Sequence, residues 1–119
     1  MILGIGNDLI EIKRVEKACE KEAFLKRYYT DEEISMCKGK SSKFAGNFAV
    51  KEAVAKAFGT GFSGFEAKDI EVLRDALGKP YVNLYGGAML KYEELKATSI
   101  HVSISNTDEL AQAVAIVEG

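Results

Sequence analysis

The chain has 119 residues, of which 47% are hydrophobic and 29% charged, and its formal net charge at pH 7 is −2. This length predicts one domain spanning residues 1–119, and the near-neutral charge argues against nucleic acid as a partner. The two cysteines lack metal-site spacing, and no apolar run is long enough for a membrane span. The N-terminus lacks the basic-then-apolar pattern of a secretory signal. We therefore expect a soluble cytoplasmic protein without a membrane or nucleic-acid partner.

The first half of the chain predicts one strand followed by three helices. The strand covers residues 2–12, and the first helix covers residues 13–27. A capping box formed by Thr30 and Glu33 opens a short second helix. The third helix is long, runs from about Phe44 to Phe58 and closes on Gly59.

The second half predicts a hairpin, a helix and two further strands. The hairpin strands begin at Asp69 and Tyr81 and are joined by a turn at Gly78-Lys79-Pro80. A helix follows Gly86-Gly87, and strands cover residues 100–105 and 110–117. The order β-α-α-α-β-β-α-β-β predicts an α+β fold with a mostly antiparallel sheet packed against the long central helix.

The long helix carries an acid and a base on one face, because Glu52 and Lys56 are four residues apart. We expect the same face to carry small residues flanked by aromatic ones, namely Ala45, Ala49, Phe44 and Phe48. Two interpretations stay open for the pair. It could be a surface salt bridge contributing roughly 0.2–0.5 kcal/mol, or half of a binding site.

Asp8 shares one face of the first strand with Gly4 and Gly6, where missing side chains permit close approach of a ligand or backbone. An aspartate at a strand end is also a common turn former or helix cap. Asp8 and Glu52 are acids in otherwise apolar surroundings, and two convergent carboxylates suit Mg²⁺ completed by substrate phosphates. Lys56 would add a point charge for a diphosphate.

Two other features favour structural roles. Gly59-Thr60-Gly61 follows a helix and lacks P-loop spacing, so helix capping explains it better than phosphate binding. His101, Ser103 and Ser105 share one face of the predicted strand. A histidine in this setting is more often a hydrogen-bonded structural residue than a catalytic one.

The predicted first helix is basic. Residues 13–27 contain six basic and three acidic side chains, a net charge of +3. Arg14, Lys17 and Lys21 stand at helical spacing and would suit an acidic partner.

Three separated blocks together resemble the holo-(acyl-carrier-protein) synthases, the small bacterial 4′-phosphopantetheinyl transferases. The first block is Gly4-Ile5-Gly6-Asn7-Asp8 with Arg14. The second is Phe48-Ala49-Val50-Lys51-Glu52-Ala53, followed by Lys56 and Gly59-Thr60-Gly61. The third is Asp69-Ile70-Glu71-Val72, then Gly78-Lys79-Pro80 and His101-Val102-Ser103-Ile104-Ser105. The blocks occur in order and cover essentially the whole chain.

This resemblance implies Mg²⁺-dependent transfer of 4′-phosphopantetheine from coenzyme A (CoA) to a serine hydroxyl of an apo acyl carrier protein, in fatty acid biosynthesis, with release of 3′,5′-ADP. It implies that Asp8 and Glu52 hold Mg²⁺ and that Glu52 and Lys56 are catalytic, Lys56 neutralising the diphosphate. Glu52, directly or through a water, would accept the serine proton. The implied CoA contacts are Lys56, Gly59, Thr60, Gly61, Lys79, Pro80, Ser105 and Asn106. Arg14, Lys17 and Lys21 would bind the carrier protein, and the subunits would form a homotrimer with clefts between them.

The chain departs from the family pattern at two positions. Asn47 stands where many relatives have arginine, and Asn106 where they commonly have histidine. By resemblance both positions contact CoA around its 3′-phosphate, yet asparagine adds no positive charge. Either a neighbouring lysine substitutes, with Lys38, Lys40 and Lys43 as the candidates, or CoA binds more weakly.

Two other functions fit the same residues. The first is a non-catalytic module that binds acidic helices through the basic first helix. The second is a Mg²⁺-dependent nucleotide diphosphate hydrolase, which would need no protein acceptor.

Overall fold

The computed structural model describes all 119 residues and contains five strands and five α-helices. The strands are β1 (Ile2–Glu11), β2 (Ile70–Arg74), β3 (Pro80–Leu84), β4 (Ser99–Asn106) and β5 (Leu110–Glu118). The helices are α1 (Ile12–Cys19), α2 (Glu22–Tyr28), α3 (Asp31–Cys37), α4 (Ser41–Ala57) and α5 (Gly86–Glu94), and a 3₁₀ turn spans Ala67–Asp69. The predicted α+β class is confirmed. None of the helices is long and apolar enough to cross a bilayer.

Both sheets are antiparallel. One has the strand order β1-β5-β4, and the other is the β2-β3 hairpin. The inward face of β5 consists of small residues that are fully buried, Ala111, Ala113, Ala115 and Val117. Short side chains on this face let α4 pack closely on the three-stranded sheet. The long central helix therefore lies where the sequence predicted it, although it begins slightly earlier.

The helix predicted over residues 13–27 is two helices. Lys21 adopts an extended conformation between them, with ψ at 120°. The break turns α2 so that Phe24 stacks on Tyr28 at 4.5 Å between ring centroids and lies 6.4 Å from Phe48 of α4. Packing of this partly buried aromatic cluster outweighs helix continuity, which helical propensity alone favours.

The glycines of β1 bring the strand against the backbone of α4. A Cβ atom on Gly4 would overlap the carbonyl oxygen of Ala57, and one on Gly6 would overlap that of Ala53. Only residues without a side chain permit this approach. The next residue on the same strand face is Asp8, and the approach sets it beside the last turn of α4.

Candidate active site

Asp8 and Lys56 join β1 to α4. The Lys56 Nζ donates to Asp8 Oδ1 at 3.2 Å and to the backbone oxygen of Asn7 at 3.0 Å. The Lys56 side chain is 53% exposed and that of Asp8 only 17%. Lys56 forms no ion pair with Glu52, so the surface salt bridge considered from the i,i+4 spacing is absent. The ammonium instead lies at the junction of strand and helix, open to solvent.

Glu52 is half-buried one turn before Lys56. Burial raises the pKa of Glu52, the negative charge of Asp8 raises it further, and the Lys56 ammonium opposes both effects. The two carboxylates are therefore close enough for the charge of Asp8 to disfavour ionisation of Glu52. A cation placed between them would offset this effect.

The donor set fits Mg²⁺ bound jointly by protein and substrate. No group of three or more His, Cys, Asp or Glu side chains forms a closed metal site. Two carboxylates, completed by water and phosphate oxygens, are the usual protein share of a Mg²⁺ site. Asp8 and Glu52 would be the residues that hold the ion.

Glu52 also lines a cleft with a volume of about 220 Å³. Its other walls come from α2 and from the segment before the 3₁₀ turn, namely Arg27, Tyr28, Phe62, Phe65, Glu66 and Ala67. Arg27 is one of the basic residues of the predicted first helix, and no sequence pattern predicted its place in this site. Its position depends on the break between α1 and α2, for which the sequence carried no clear signal.

The surroundings of Glu52 and Lys56 differ from those predicted. Ala45 and Ala49 are fully buried in the core, whereas the partly exposed row on α4 is Phe48, Glu52 and Lys56. The alanines face inward because α4 packs against β1 and β5 on that side. The expected alanine floor for a ligand is therefore wrong.

The loop after α4 has the predicted capping geometry. Gly59 and Gly61 have φ angles of 83° and 61°, which glycine adopts without strain. The Thr60 hydroxyl donates to the backbone oxygen of Gly61. The loop lies directly beyond Lys56, and its contact with CoA stays a prediction.

Two other predicted CoA contacts, Pro80 and Asn106, line a second cleft of about 270 Å³. Its remaining walls are Ser42, Lys43, Arg74, Gly78 and Ile104. Lys79 and Ser105 are next in sequence to Pro80 and Asn106. Both side chains are exposed, and neither lines this cleft. The second cleft therefore lies at the N-terminal end of α4, whereas Lys56 lies at the C-terminal end.

Asn47 is fully buried beneath the second cleft. Its Nδ2 donates to Glu33 Oε2 at 3.1 Å and to the backbone oxygen of Val72 at 2.9 Å. Its Oδ1 accepts from Arg74 Nη1 at 2.8 Å. A side chain enclosed in this way cannot touch CoA, so the expected direct contact by Asn47 is wrong.

The basic residues of α1, together with Lys21 at the start of α2, form a groove. Arg14, Lys17 and Lys21 surround Ala18 and Phe24 in a depression of about 380 Å³. The three cations are exposed, as the helical spacing predicted. A cationic rim around an aromatic floor suits an acidic, amphipathic helix.

His101 lies on the exposed face of β4. Its Nε2 is 2.8 Å from Glu118 Oε1 and 3.2 Å from Ser99 Oγ. These contacts connect β4 to β5 and agree with the structural role predicted for this histidine.

Residues 4–115 match the family model described as the 4′-phosphopantetheinyl transferase superfamily. A holo-[acyl-carrier-protein] synthase of Lachnoclostridium phytofermentans is 56% identical over 118 residues, covering 99% of this chain and 97% of the relative.

Two solved structures share the fold. The Helicobacter pylori holo-[acyl-carrier-protein] synthase in complex with coenzyme A is 35% identical with a TM-score of 0.83, over 96% of this chain and 99% of that one. The Bacillus anthracis synthase in complex with CoA (3′,5′-ADP) is 36% identical with a TM-score of 0.83, over 100% and 98%. With matches of this extent in sequence and fold, the chain belongs to the holo-(acyl-carrier-protein) synthase family of 4′-phosphopantetheinyl transferases and is an enzyme of that family.

Proposed function

We propose that residues 1–119 act as one transferase domain that moves 4′-phosphopantetheine from CoA to a serine hydroxyl of an apo acyl carrier protein, with Mg²⁺ and with release of 3′,5′-ADP. The observation that carries the proposal is the convergence of Asp8, Glu52 and Lys56 beside a cleft. The Helicobacter pylori relative, crystallised with coenzyme A, supports the donor.

The chemistry needs positioning and charge stabilisation more than covalent help from the protein. The serine oxygen attacks the phosphorus that carries phosphopantetheine, and the bond to the 3′,5′-ADP oxygen breaks. Bound Mg²⁺ would neutralise charge on the diphosphate. Lys56 has an exposed Nζ and can turn from Asp8 toward a phosphate oxygen. Glu52 lines the cleft and would accept the serine proton, directly or through a metal-bound water.

The basic groove between α1 and α2 supports an acidic carrier protein as acceptor. We predict that the dissociation constant for the carrier rises steeply between about 50 mM and about 500 mM salt, because salt screens exposed charges. The triple variant Arg14→Gln, Lys17→Gln, Lys21→Gln should bind more weakly and lose most of this dependence. Its KM for CoA should stay unchanged. A flat salt dependence in the unmodified protein would contradict the docking role.

The separation of the two clefts supports the homotrimer. Lys43 and Lys56 are 13 residues apart on α4, a distance of about 20 Å along the helix. The diphosphate and the 3′-phosphate of CoA are attached to one ribose, so they lie much closer together. One CoA can reach both clefts only where two subunits meet. Exposed apolar residues on the outer sheet face, Ile5 and Leu9 among them, offer a surface for assembly. Analytical ultracentrifugation should give the mass of three chains.

Cytoplasmic location and a role in fatty acid biosynthesis belong to the same proposal. Cys19 and Cys37 are both free thiols, which is usual in a reducing compartment.

The decisive experiment incubates the protein with CoA, Mg²⁺ and several apo acyl carrier proteins, and weighs each carrier by mass spectrometry. We expect a phosphopantetheine adduct on one serine and stoichiometric 3′,5′-ADP. A folded protein that modifies none of the carriers would refute the transferase proposal. Hydrolysis of a nucleotide diphosphate without an acceptor would favour the hydrolase instead.

A further inference from the structure

Two stacked aromatic rings separate the basic groove from the cleft that Glu52 lines. Phe24 belongs to the floor of the groove, and Tyr28 belongs to the wall of the Glu52 cleft. The centroids of the two rings are 4.5 Å apart. A ligand that occupies both the groove and the cleft therefore passes over Tyr28.

Neighbouring side chains hold the Tyr28 ring in place. Its centroid lies 5.8 Å from that of Phe48, which is one turn before Glu52 on α4. The guanidinium carbon of Arg27 is 5.9 Å from the same centroid. Together with Phe24, these contacts restrict the ring through aromatic and cation–π interactions. Tyr28 therefore has a defined place before any substrate binds, which lowers the entropic cost of a contact with one.

The hydroxyl group of Tyr28 forms no hydrogen bond within the protein. Two other tyrosine hydroxyls are paired, since Tyr29 donates to the backbone oxygen of Phe44 and Tyr85 donates to Glu71. No buried side-chain oxygen lacks a partner, so the Tyr28 hydroxyl is open to solvent. A phenolic hydroxyl can both donate and accept, and this one is available to a substrate.

The carrier protein is the substrate that meets this hydroxyl, if the proposed function is correct. Its acidic helix would lie in the basic groove while its serine lies at Glu52. The polypeptide between that helix and the serine then crosses Tyr28 and carries carbonyl oxygens that need a donor. We propose that the Tyr28 hydroxyl donates a hydrogen bond to a backbone carbonyl oxygen of the carrier protein beside its acceptor serine, and so orients the serine toward Glu52.

Tyr28→Phe tests the proposal, because it removes the hydroxyl and keeps the stacked ring. It should lower kcat/KM for the carrier protein by roughly threefold to tenfold, the usual effect of one neutral hydrogen bond. KM for CoA and the melting temperature should stay unchanged. Tyr92→Phe makes the same change on α5, outside the groove and the Glu52 cleft, and should have no effect. Unchanged kcat/KM in Tyr28→Phe would overturn the proposal. So would a higher KM for CoA, which would place the hydroxyl on the donor.

Salt distinguishes the hydroxyl from the groove. Because the hydroxyl is uncharged, the loss in Tyr28→Phe should be the same at about 50 mM and about 500 mM salt. In the background of the triple variant Arg14→Gln, Lys17→Gln, Lys21→Gln, the loss should add to that of the groove. A loss that disappears in this background would show that Tyr28 acts only by supporting the groove through Phe24.

Direct binding separates this inference from the transferase proposal. Calorimetry with the apo carrier protein, without CoA or Mg²⁺, should give a dissociation constant roughly threefold to tenfold higher for Tyr28→Phe than for the unmodified protein. If binding is weakened in this way but no carrier is modified, the hydroxyl contact stands and the transferase proposal fails. Equal dissociation constants would overturn the contact, whether or not transfer occurs.

Discussion

Glu52→Gln should lower the rate of phosphopantetheine transfer by roughly a thousandfold, within the range for a lost charge-stabilising or proton-transfer group. The glutamine keeps the size of the side chain and removes its negative charge. It therefore loses both the proposed metal ligand and the proposed proton acceptor. Single-turnover transfer to the carrier protein, at saturating CoA and Mg²⁺, measures this loss.

The same substitution should leave the free energy of unfolding unchanged or slightly increase it. Burial and the Asp8 charge both disfavour the ionised form of Glu52, so a neutral side chain relieves strain in the unliganded protein. Asp8→Asn should also be inactive but should lose some stability, since Asp8 pairs with Lys56.

Glu94→Gln is the matched control, because it makes the same change on the exposed surface of α5. It should retain full activity. Residual transfer above about a tenth of the normal rate in Glu52→Gln would show that this carboxylate is not part of the reaction centre.

The sequence predicted those parts of the site that depend on local periodicity. Period two placed Asp8 on the face of Gly4 and Gly6, and period 3.6 placed Glu52 and Lys56 on one helix face. Periodicity could not identify Asp8 as the ion-pair partner of Lys56. The pairing depends on how closely β1 approaches α4, and that approach is a tertiary consequence of the glycines.

The second cleft shows the limit of sequence reasoning more clearly. The resemblance pointed to Asn47 as a CoA contact and to nearby lysines as replacements for a missing arginine. The structure buries Asn47 and brings Arg74 to the cleft from β2, which is distant in the chain. No periodic pattern joins positions 47 and 74, because their contact depends on the packing of α4 on the hairpin.

Lys51 has a different role from its neighbour Glu52, since it points into the core. It is 1% exposed and pairs at 2.7 Å with Glu33, which is fully buried. Its Nζ also donates to the backbone oxygens of Ala67 and Ile70, at the 3₁₀ turn beside the Glu52 cleft. The sequence identified Glu33 only as the capping residue of α3, a role it also fills.

Lys51→Met should lower the free energy of unfolding by roughly 3–5 kcal/mol, the usual cost of leaving one partner of a buried ion pair uncompensated. Urea denaturation at neutral pH measures it. Lys68→Met, on an exposed lysine of the same turn, should change stability by less than about 0.5 kcal/mol. Adding Glu33→Gln to Lys51→Met should recover part of the loss, because the glutamine is neutral and can still accept from Asn47.

The pH dependence of the Lys51→Met variant gives an independent check. Burial raises the pKa of Glu33 above its ordinary value, and Lys51 opposes this increase. Without Lys51 the folded-state pKa rises further, so the folded variant binds a proton at Glu33 more tightly than the unfolded chain does. Stability contributed by that proton is present below the unfolded pKa and is lost as pH rises through the folded pKa. The difference in unfolding free energy between Lys51→Met and the unmodified protein should therefore shrink as the pH is lowered from about 8 toward about 5, because Glu33 takes up a proton more readily in the variant. A difference that stays constant over this range would contradict the coupling between Lys51 and the protonation of Glu33.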